Sequence, residues 1–396
     1  MNSDIPQTVE KKSKKWIVFL VLGLIGLAGG ISCVLVILLM PAEVLPDLSF
    51  PDVPSKVTGA KYYSNLTGLE IKDETAKSAP TYCIQVPNGT DGARPQAGLD
   101  EAGVIFEAIA EAGITRFAAI YQNPKSAVIG PIRSLRLYYL QWDTPFDCTI
   151  VHAGGADDAL AAVRDGGYKD LTENYSYMYR ENSGGRLWNN LFTTGALLAQ
   201  MNADRGYGGS NVKGFTRITP EEAKKIRVDA SAVEKLNILE PTTKNTSEMS
   251  VAVPNINLRF GGWATFNVQY AYNSATNSYN RSYETGDAHN IYGCPLEDLG
   301  SAKAENVCSL KQLSPSVVVA IVVNEKKAWD GYHEDITTIG SGDAYIFQNG
   351  GVVAGTWNKA SASEQIKFLD RDGREIALVP GQTIVEAIPS YGSVEY

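Results

Sequence analysis

RPQAGLDEAGVIFEAIAEAGITRFAAIY (Arg94–Tyr121), VIGPIRSLRLYYLQW (Val128–Trp142) and FDCTIVHAGGADD (Phe146–Asp158) hold the densest mixture of charged groups, glycine turns and apolar β-formers in the chain. Within the first, Val104–Ala110 and Ile114–Tyr121 are apolar runs separated by Glu111-Ala112-Gly113, the pattern of a β-hairpin. Val104, Ile105 and Phe106 favour strand, because branched and aromatic side chains pack well on a pleated surface. The alternative is an amphipathic helix from Asp100 to Ala112 with Asp100 as its cap. With Ala112-Gly113 as a two-residue turn, Glu111 pairs with Ile114 and Ile109 with Arg116. Glu107, Glu111 and Arg116 then share one face, since strand side chains alternate with period two. Such a face reads either as a solvated ion-pair patch or as part of a ligand surface.

Downstream, Ala127–Gly130 reads as a strand stopping at Pro131, and Ile132–Trp142 as a helix, with proline suited to a helix start. Arg133 and Arg136 would occupy the first turns, where the helix dipole is already positive, and their spacing of three puts them on one face. Two arginines placed so call for a negative partner, either a protein carboxylate or a ligand anion. Phe146–Val151 reads as a buried strand running into His152-Ala153-Gly154-Gly155. A helix opens near Ala156 with Asp157 and Asp158 in its first turn. A polar side chain at the carboxyl end of a strand is a common ligand position in α/β sheets, and His152 fits either that role or a structural one.

Several segments carry a resemblance. GARPQAGLDEA, GITRFAAIYQ, IGPIRSLRLYYL and VHAGGADDA, followed by YNRSYETGDAHN, GSGDAYIFQNGGVVAGTWNKAS and FLDRDGREIALVPGQTIVEAIP, resemble the YerB family in the same order, over most of Pro80–Pro389. The resemblance implies a membrane-anchored or lipid-anchored extracytoplasmic protein in two parts, and it lends no activity. Where the family leads us to expect proline-histidine-asparagine-leucine, this chain has Trp188-Asn189-Asn190-Leu191.

Composition bounds what the chain can do. Its 396 residues carry a formal charge of −9, and the first forty hold four lysines against two acids, leaving 31 basic and 42 acidic groups, or −11, beyond them. An acidic surface excludes nucleic acid as a partner, because phosphate binding needs positive charge. Residues 1–15 form a basic tail ending in Lys11-Lys12-Ser13-Lys14-Lys15, and Trp16–Met40 then runs uncharged for long enough to cross a bilayer. The positive-inside rule places the tail in the cytoplasm and everything after Pro41 outside. A lipoprotein reading with acylation of Cys33 in Gly30-Ile31-Ser32-Cys33 stands second to the uncleaved span. Residues 41–79, proline-bearing and then polar, read as a spacer, residues 80–240 as a mixed α/β domain and residues 249–396 as a β-rich domain. Pro241–Glu248 is the break between them.

Four cysteines lie beyond the apolar run, and an even number outside a membrane predicts two bridges. Of three pairings, Cys294–Cys308 closes one loop and Cys83–Cys148 joins two strands of the first domain. No spacing suggests zinc, and no metal or cofactor is implied. In the second half, Tyr279, Arg281, Asp287, His289 and His333 are the groups able to do chemistry. No nucleophile elbow, phosphate loop or catalytic lysine motif stands out. The expected function is therefore an extracytoplasmic binding or scaffolding protein that engages a cell-envelope component or another protein. The alternative is an envelope hydrolase or transferase using His152 or His289 with a carboxylate such as Glu107 or Asp157. Arg94, Glu107, Arg116, Arg133, Arg136, His152, Asp157 and His289 are expected to line one pocket near the junction of the two halves.

Overall fold

The computed structural model describes residues 61–181, 188–226, 253–294 and 308–396. The basic tail, the apolar run 16–40, the first part of the spacer and the break at Pro241–Glu248 lie outside them. Among the described residues no helix is long and apolar enough to cross a membrane.

Residues 61–396 make one compact unit. Its principal strands are β1 (Thr81–Pro87), β2 (Val104–Glu111), β3 (Ile114–Gln122), β4 (Thr149–His152) and β5 (Asp170–Thr172), then β6 (Asn255–Arg259), β7 (Val268–Asn273) and β8 (Ser278–Tyr283). There follow β9 (Val317–Val323), β10 (Glu325–Lys327), β11 (Glu334–Ile336), β12 (Gly340–Gln348), β13 (Gly351–Lys359), β14 (Lys367–Leu369), β15 (Thr383–Pro389) and β16 (Ser393–Glu395). The helices are α1 (Leu137–Asp143), α2 (Asp157–Gly166), α3 (Gly195–Arg205) and α4 (Pro220–Ile226). A mixed α/β first half and a β-rich second half are therefore present, and both feed a single ten-stranded sheet in the order β14-β13-β12-β9-β15-β2-β3-β1-β4-β5. The join is made by β15, which comes from the end of the chain and lies parallel to both β9 and β2. A second sheet, β8-β7-β6-β16, packs on the large one.

Alternation along the central strands assigns the two faces. Val104, Phe106 and Ala108 of β2, with Val317, Val319 and Ile321 of β9, point to α1 and α2. There Phe106 stacks on Trp142 with ring centroids 5.3 Å apart. Ile105 of β2 and Phe117 and Ala119 of β3 point the other way, to Leu198 and Met201 of α3. Val318 and Ala320 of β9 pack under Ile256, Leu258 and Tyr270 of the small sheet on that same side.

The expected hairpin is present, with Glu111 opposite Ile114 and both turn residues at positive φ, Ala112 at 51° and Gly113 at 77°. That turn matches the twist of the strands it joins. One detail of register differs. Ile109 pairs with Thr115 and Ala108 with Arg116, because Ala110 is an extra residue, a β-bulge. The bulge puts Glu111 on the same face as Arg116 and leaves Glu107 on the opposite one, so the three do not share a face as expected.

The helix expected from Ile132 begins only at Leu137. Residues 132–136 are extended and held by distant partners: the Ile132 N–H donates to Leu191, that of Arg133 to Gln85 and that of Leu135 to Gly154. Arg133 and Arg136 thus share no helix face, and Arg136 is the residue before the first turn of α1. The strand expected at Phe146–Val151 is shifted to Thr149–His152, since residues 144–146 form a short 3₁₀ turn. Within residues 376–379 of the β-rich half, Leu378 makes a single bridge, to Arg217. Elsewhere, Thr219 caps α4 reciprocally with Glu222.

Both expected disulfides are formed, Cys83–Cys148 and Cys294–Cys308, with sequence separations of 65 and 14. Cross-linking across the longer loop removes more freedom from the unfolded chain, about 4 kcal/mol in the entropic account. Replacing Cys83 and Cys148 together by serine should lower the unfolding free energy by about 2–5 kcal/mol in chemical denaturation. An unchanged midpoint would contradict the bridge.

Candidate functional site

The eight expected site residues separate into three buried groups and one cleft. The first group lies between the two sheets. Glu107 on β2 stands directly opposite Glu386 on β15, and both are fully buried. Arg281 of β8 enters from the small sheet, donates to Glu107 and lies 3.7 Å from Glu386. The Tyr270 hydroxyl donates to Glu386 and accepts from Arg281 at 3.1 Å. Burial, and then the facing Glu107, push the Glu386 carboxyl well above its ordinary value, so it keeps a proton and can donate it to Glu107. His289 completes the group. Its Nδ1 accepts from Arg281 and its Nε2 donates to Gln96 Oε1 at 3.0 Å. Burial, Arg281 and Arg94 hold this imidazole well below its ordinary value, which keeps it neutral. Arg94 donates to Asn88 Oδ1 at 2.8 Å and lies over the Tyr283 ring at 3.7 Å, while Asn88 donates to Glu107 at 3.0 Å.

The second group is made by the bulge. Glu111 accepts from Arg116 at 2.7 Å and from Arg136 at 2.6 Å, and both arginines are buried. Burial alone would raise the Glu111 carboxyl, but Arg116, Arg136 and, more weakly, Arg133 outweigh it and hold it below the ordinary range. The partner for Arg136 is therefore a protein carboxylate. Arg133 is half-buried and, among the described residues, has no ion pair.

The third group is His152, also buried. Its Nδ1 lies 2.7 Å from the Gly154 carbonyl and its Nε2 2.8 Å from Asp170. Both ring nitrogens face acceptors, leaving neither for a substrate. His152, the group of Arg94, Glu107 and His289, and the group of Arg116 and Arg136 around Glu111 are thus separate clusters and do not line a shared pocket.

Of the eight, Arg136 and Asp157 line an open cleft of about 650 Å³, a size typical of small-ligand sites. Its walls are the starts of α1 and α2 and the β10–β11 hairpin. Leu135 bridges Gly155, which ties the two helix starts together by backbone, and Glu111 bridges His333, which ties the hairpin to the end of β2. From the hairpin come Lys326, Lys327, Trp329, Asp330 and His333. Trp329 is 83% exposed. Lys327 pairs with Glu334, Lys326 with Asp335 at 3.3 Å and His333 with Asp330 at 2.5 Å. Trp329 was not among the sequence candidates, although Asp330-Gly331 beside an aromatic is a recognisable hairpin-tip signal. Among the described residues no group of three or more His, Cys, Asp and Glu is arranged to hold a metal ion.

A family model described as the N-terminal domain of a protein of unknown function, DUF3048, matches residues 66–208, and the corresponding C-terminal domain matches residues 256–385. A protein of Bacillus subtilis (strain 168) named putative lipoprotein YerB is 25% identical over 334 residues, which cover 84% of this chain and 88% of that protein. The crystal structure of YerB from Bacillus subtilis superposes with a TM-score of 0.65 at 22% identity, covering 85% of this chain and all of the other. It shares the fold.

The buried Arg281 cluster makes a stability prediction. Arg281→Met should cost about 3–5 kcal/mol, because it strands Glu107 without its cation. Folded Glu386 holds a proton that the unfolded chain releases near 4.5, so its contribution is complete below that pH and is lost as the pH rises above it. Glu386→Gln should therefore flatten the decline in stability between about pH 5 and pH 7, as read by denaturation at each pH. A steeper decline in the variant would refute the assignment of the proton.

Proposed function

The chain belongs to the DUF3048 family of proteins of unknown function, and from that premise we propose that it is a membrane-anchored extracytoplasmic binding protein. Its site is the cleft at α1, α2 and the β10–β11 hairpin. The observation that carries the reading is an open 650 Å³ cavity with an indole, that of Trp329, left 83% exposed on its wall. Exposed aromatic rings beside a concave polar surface supply contact area at low entropy cost and are frequent binding anchors. A cell-envelope component or another extracytoplasmic protein is the partner this reading expects. The hydrolase or transferase alternative finds no support, since both candidate histidines are buried with their ring nitrogens occupied.

The location draws on three observations. Two disulfides suit an oxidising compartment. Lysines 11–15 precede an uncharged run through Met40. The relative YerB is named a putative lipoprotein. We retain the single span, amino terminus inside, as the finer reading, with acylation of Cys33 as its competitor.

Two measurements test this. Protease added to intact protoplasts should remove the domain beyond residue 41, and the retained fragment should weigh as an unmodified amino terminus. A mass that begins at a lipid-bearing Cys33 would replace the span by a lipid anchor, and protection of the whole chain would refute export. For the site, Trp329→Ala should weaken retention of the full chain on immobilised envelope fragments about tenfold or more, with little change in melting temperature. Undiminished retention would remove the cleft from the account.

A further inference from the structure

Exposed aromatic rings gather at one end of the molecule, and the Trp329 indole in the cleft is one of four. Trp263, Trp329, Tyr332 and Tyr391 are each more than half exposed. Short contacts place them around the turn Ala112-Gly113 that ends β2. The Trp263 indole donates to the Ala112 carbonyl at 3.3 Å, and its ring edge fills the space that a side chain at Gly113 would take. Glu111, one residue earlier, bridges His333, and the Tyr332 ring meets that imidazole edge to face at 5.0 Å. Tyr391 packs over Gly261, two residues before Trp263, and its hydroxyl donates to Glu325 at 2.7 Å, where β10 begins. The Tyr332 and His333 N–H groups both donate to Asp330 Oδ1 at 2.9 Å, which sets the hairpin tip that carries Trp329. Rings held in place by such contacts yet left in solvent give up little entropy when a ligand stacks on them.

Two features choose the partner. The first is charge. Five carboxylates against three lysines and arginines line the cleft, and the chain as a whole carries −9, so an anionic polymer is repelled. The second is place. The described chain enters at the other end of β2, where Leu66 and Thr67 lie against Gly103, about 25 Å along the strand from Glu111. The rings stand at the end away from that entry, which suits a partner out in the wall better than a lipid surface.

We propose that this aromatic ridge, with the cleft as its first part, binds an uncharged glycan strand. Sugar rings lay their C–H faces on the indoles and phenols, because those hydrogens carry partial positive charge and the aromatic face is negative. Their hydroxyls bond to exposed polar groups such as the Lys326–Asp335 pair. A strand long enough to leave the cleft goes on to Tyr332, Trp263 and Tyr391, so affinity rises with strand length. This inference rests on the cleft being the binding site and names its ligand class.

The test is calorimetric titration of the detergent-solubilised full chain with chitobiose and chitohexaose, and with polyglycerol phosphate as the anionic probe. Chitohexaose should bind at least about tenfold more tightly than chitobiose, and the polyanion should not bind. Trp263→Ala should cut the ratio of the two affinities to about threefold or less, with little change in melting temperature. Trp263→Tyr, which keeps a ring, should restore most of that ratio. Equal affinity for both lengths, no binding of either oligomer, binding of the polyanion in preference, or an undiminished ratio in Trp263→Ala would each overturn the proposal. If Trp329→Ala abolishes retention on envelope fragments while neither oligomer binds, only the glycan inference falls. If Trp329→Ala changes nothing, the cleft falls with it.

Discussion

One guanidinium, that of Arg281, holds the two sheets in register. It arrives from β8 between two glutamates that face each other across the parallel neighbours β2 and β15. Two carboxylates so placed in a dry interior cannot both stay charged, and the proton on Glu386 together with Arg281 resolves the conflict. Apolar residues of the same volume would be as stabilising or more so. What the polar cluster adds is specification: slipping β15 by one residue would turn Glu386 into the Phe106–Trp142 face. Since β15 comes from the end of the chain and β2 from its first third, this pairing makes the two family halves one sheet.

The bulge at Ala110 transmits that order to the surface. Without the extra residue Glu111 would follow Glu107 toward the small sheet. With it, Glu111 turns to Arg116 and Arg136, fixing the residue at which α1 begins. The same stretch of backbone bridges His333, so the β10–β11 hairpin is tied down where Trp329 overhangs the cleft. Cleft and core are therefore linked through three consecutive features of one strand: Glu107 inward, Ala110 as the kink, Glu111 outward.

Much of this was legible from residue order. Ala112-Gly113 between runs of β-formers specified a tight hairpin, and the Glu111–Ile114 pairing followed; the bulge did not, because Ala110 carries no local sign of being extra. The start of α1 was misread for a related reason. Pro131 is a good helix opener by local rules, but residues 132–136 bond to Leu191, Gln85 and Gly154, and long-range backbone partners leave no trace in a window of ten residues. His152 and His289 drew attention as two of three histidines, yet each is buried with its ring nitrogens satisfied. Rarity marked them, and solvent access, which decides function, does not show in spacing. Arg136 and Asp157 were identified as candidates and do line the cleft, while Trp329 was passed over although its Asp-Gly neighbour signalled an exposed tip.

The proposed ligand site is the cleft at α1, α2 and the β10–β11 hairpin. Hydrogen–deuterium exchange of the full chain, with and without solubilised envelope fragments, tests it most directly. Added protection should fall on residues 136–141, 155–158 and 326–336, with the Arg281 core already protected in both states. Protection that appears instead elsewhere on the surface, or nowhere at saturating fragment, would contradict it.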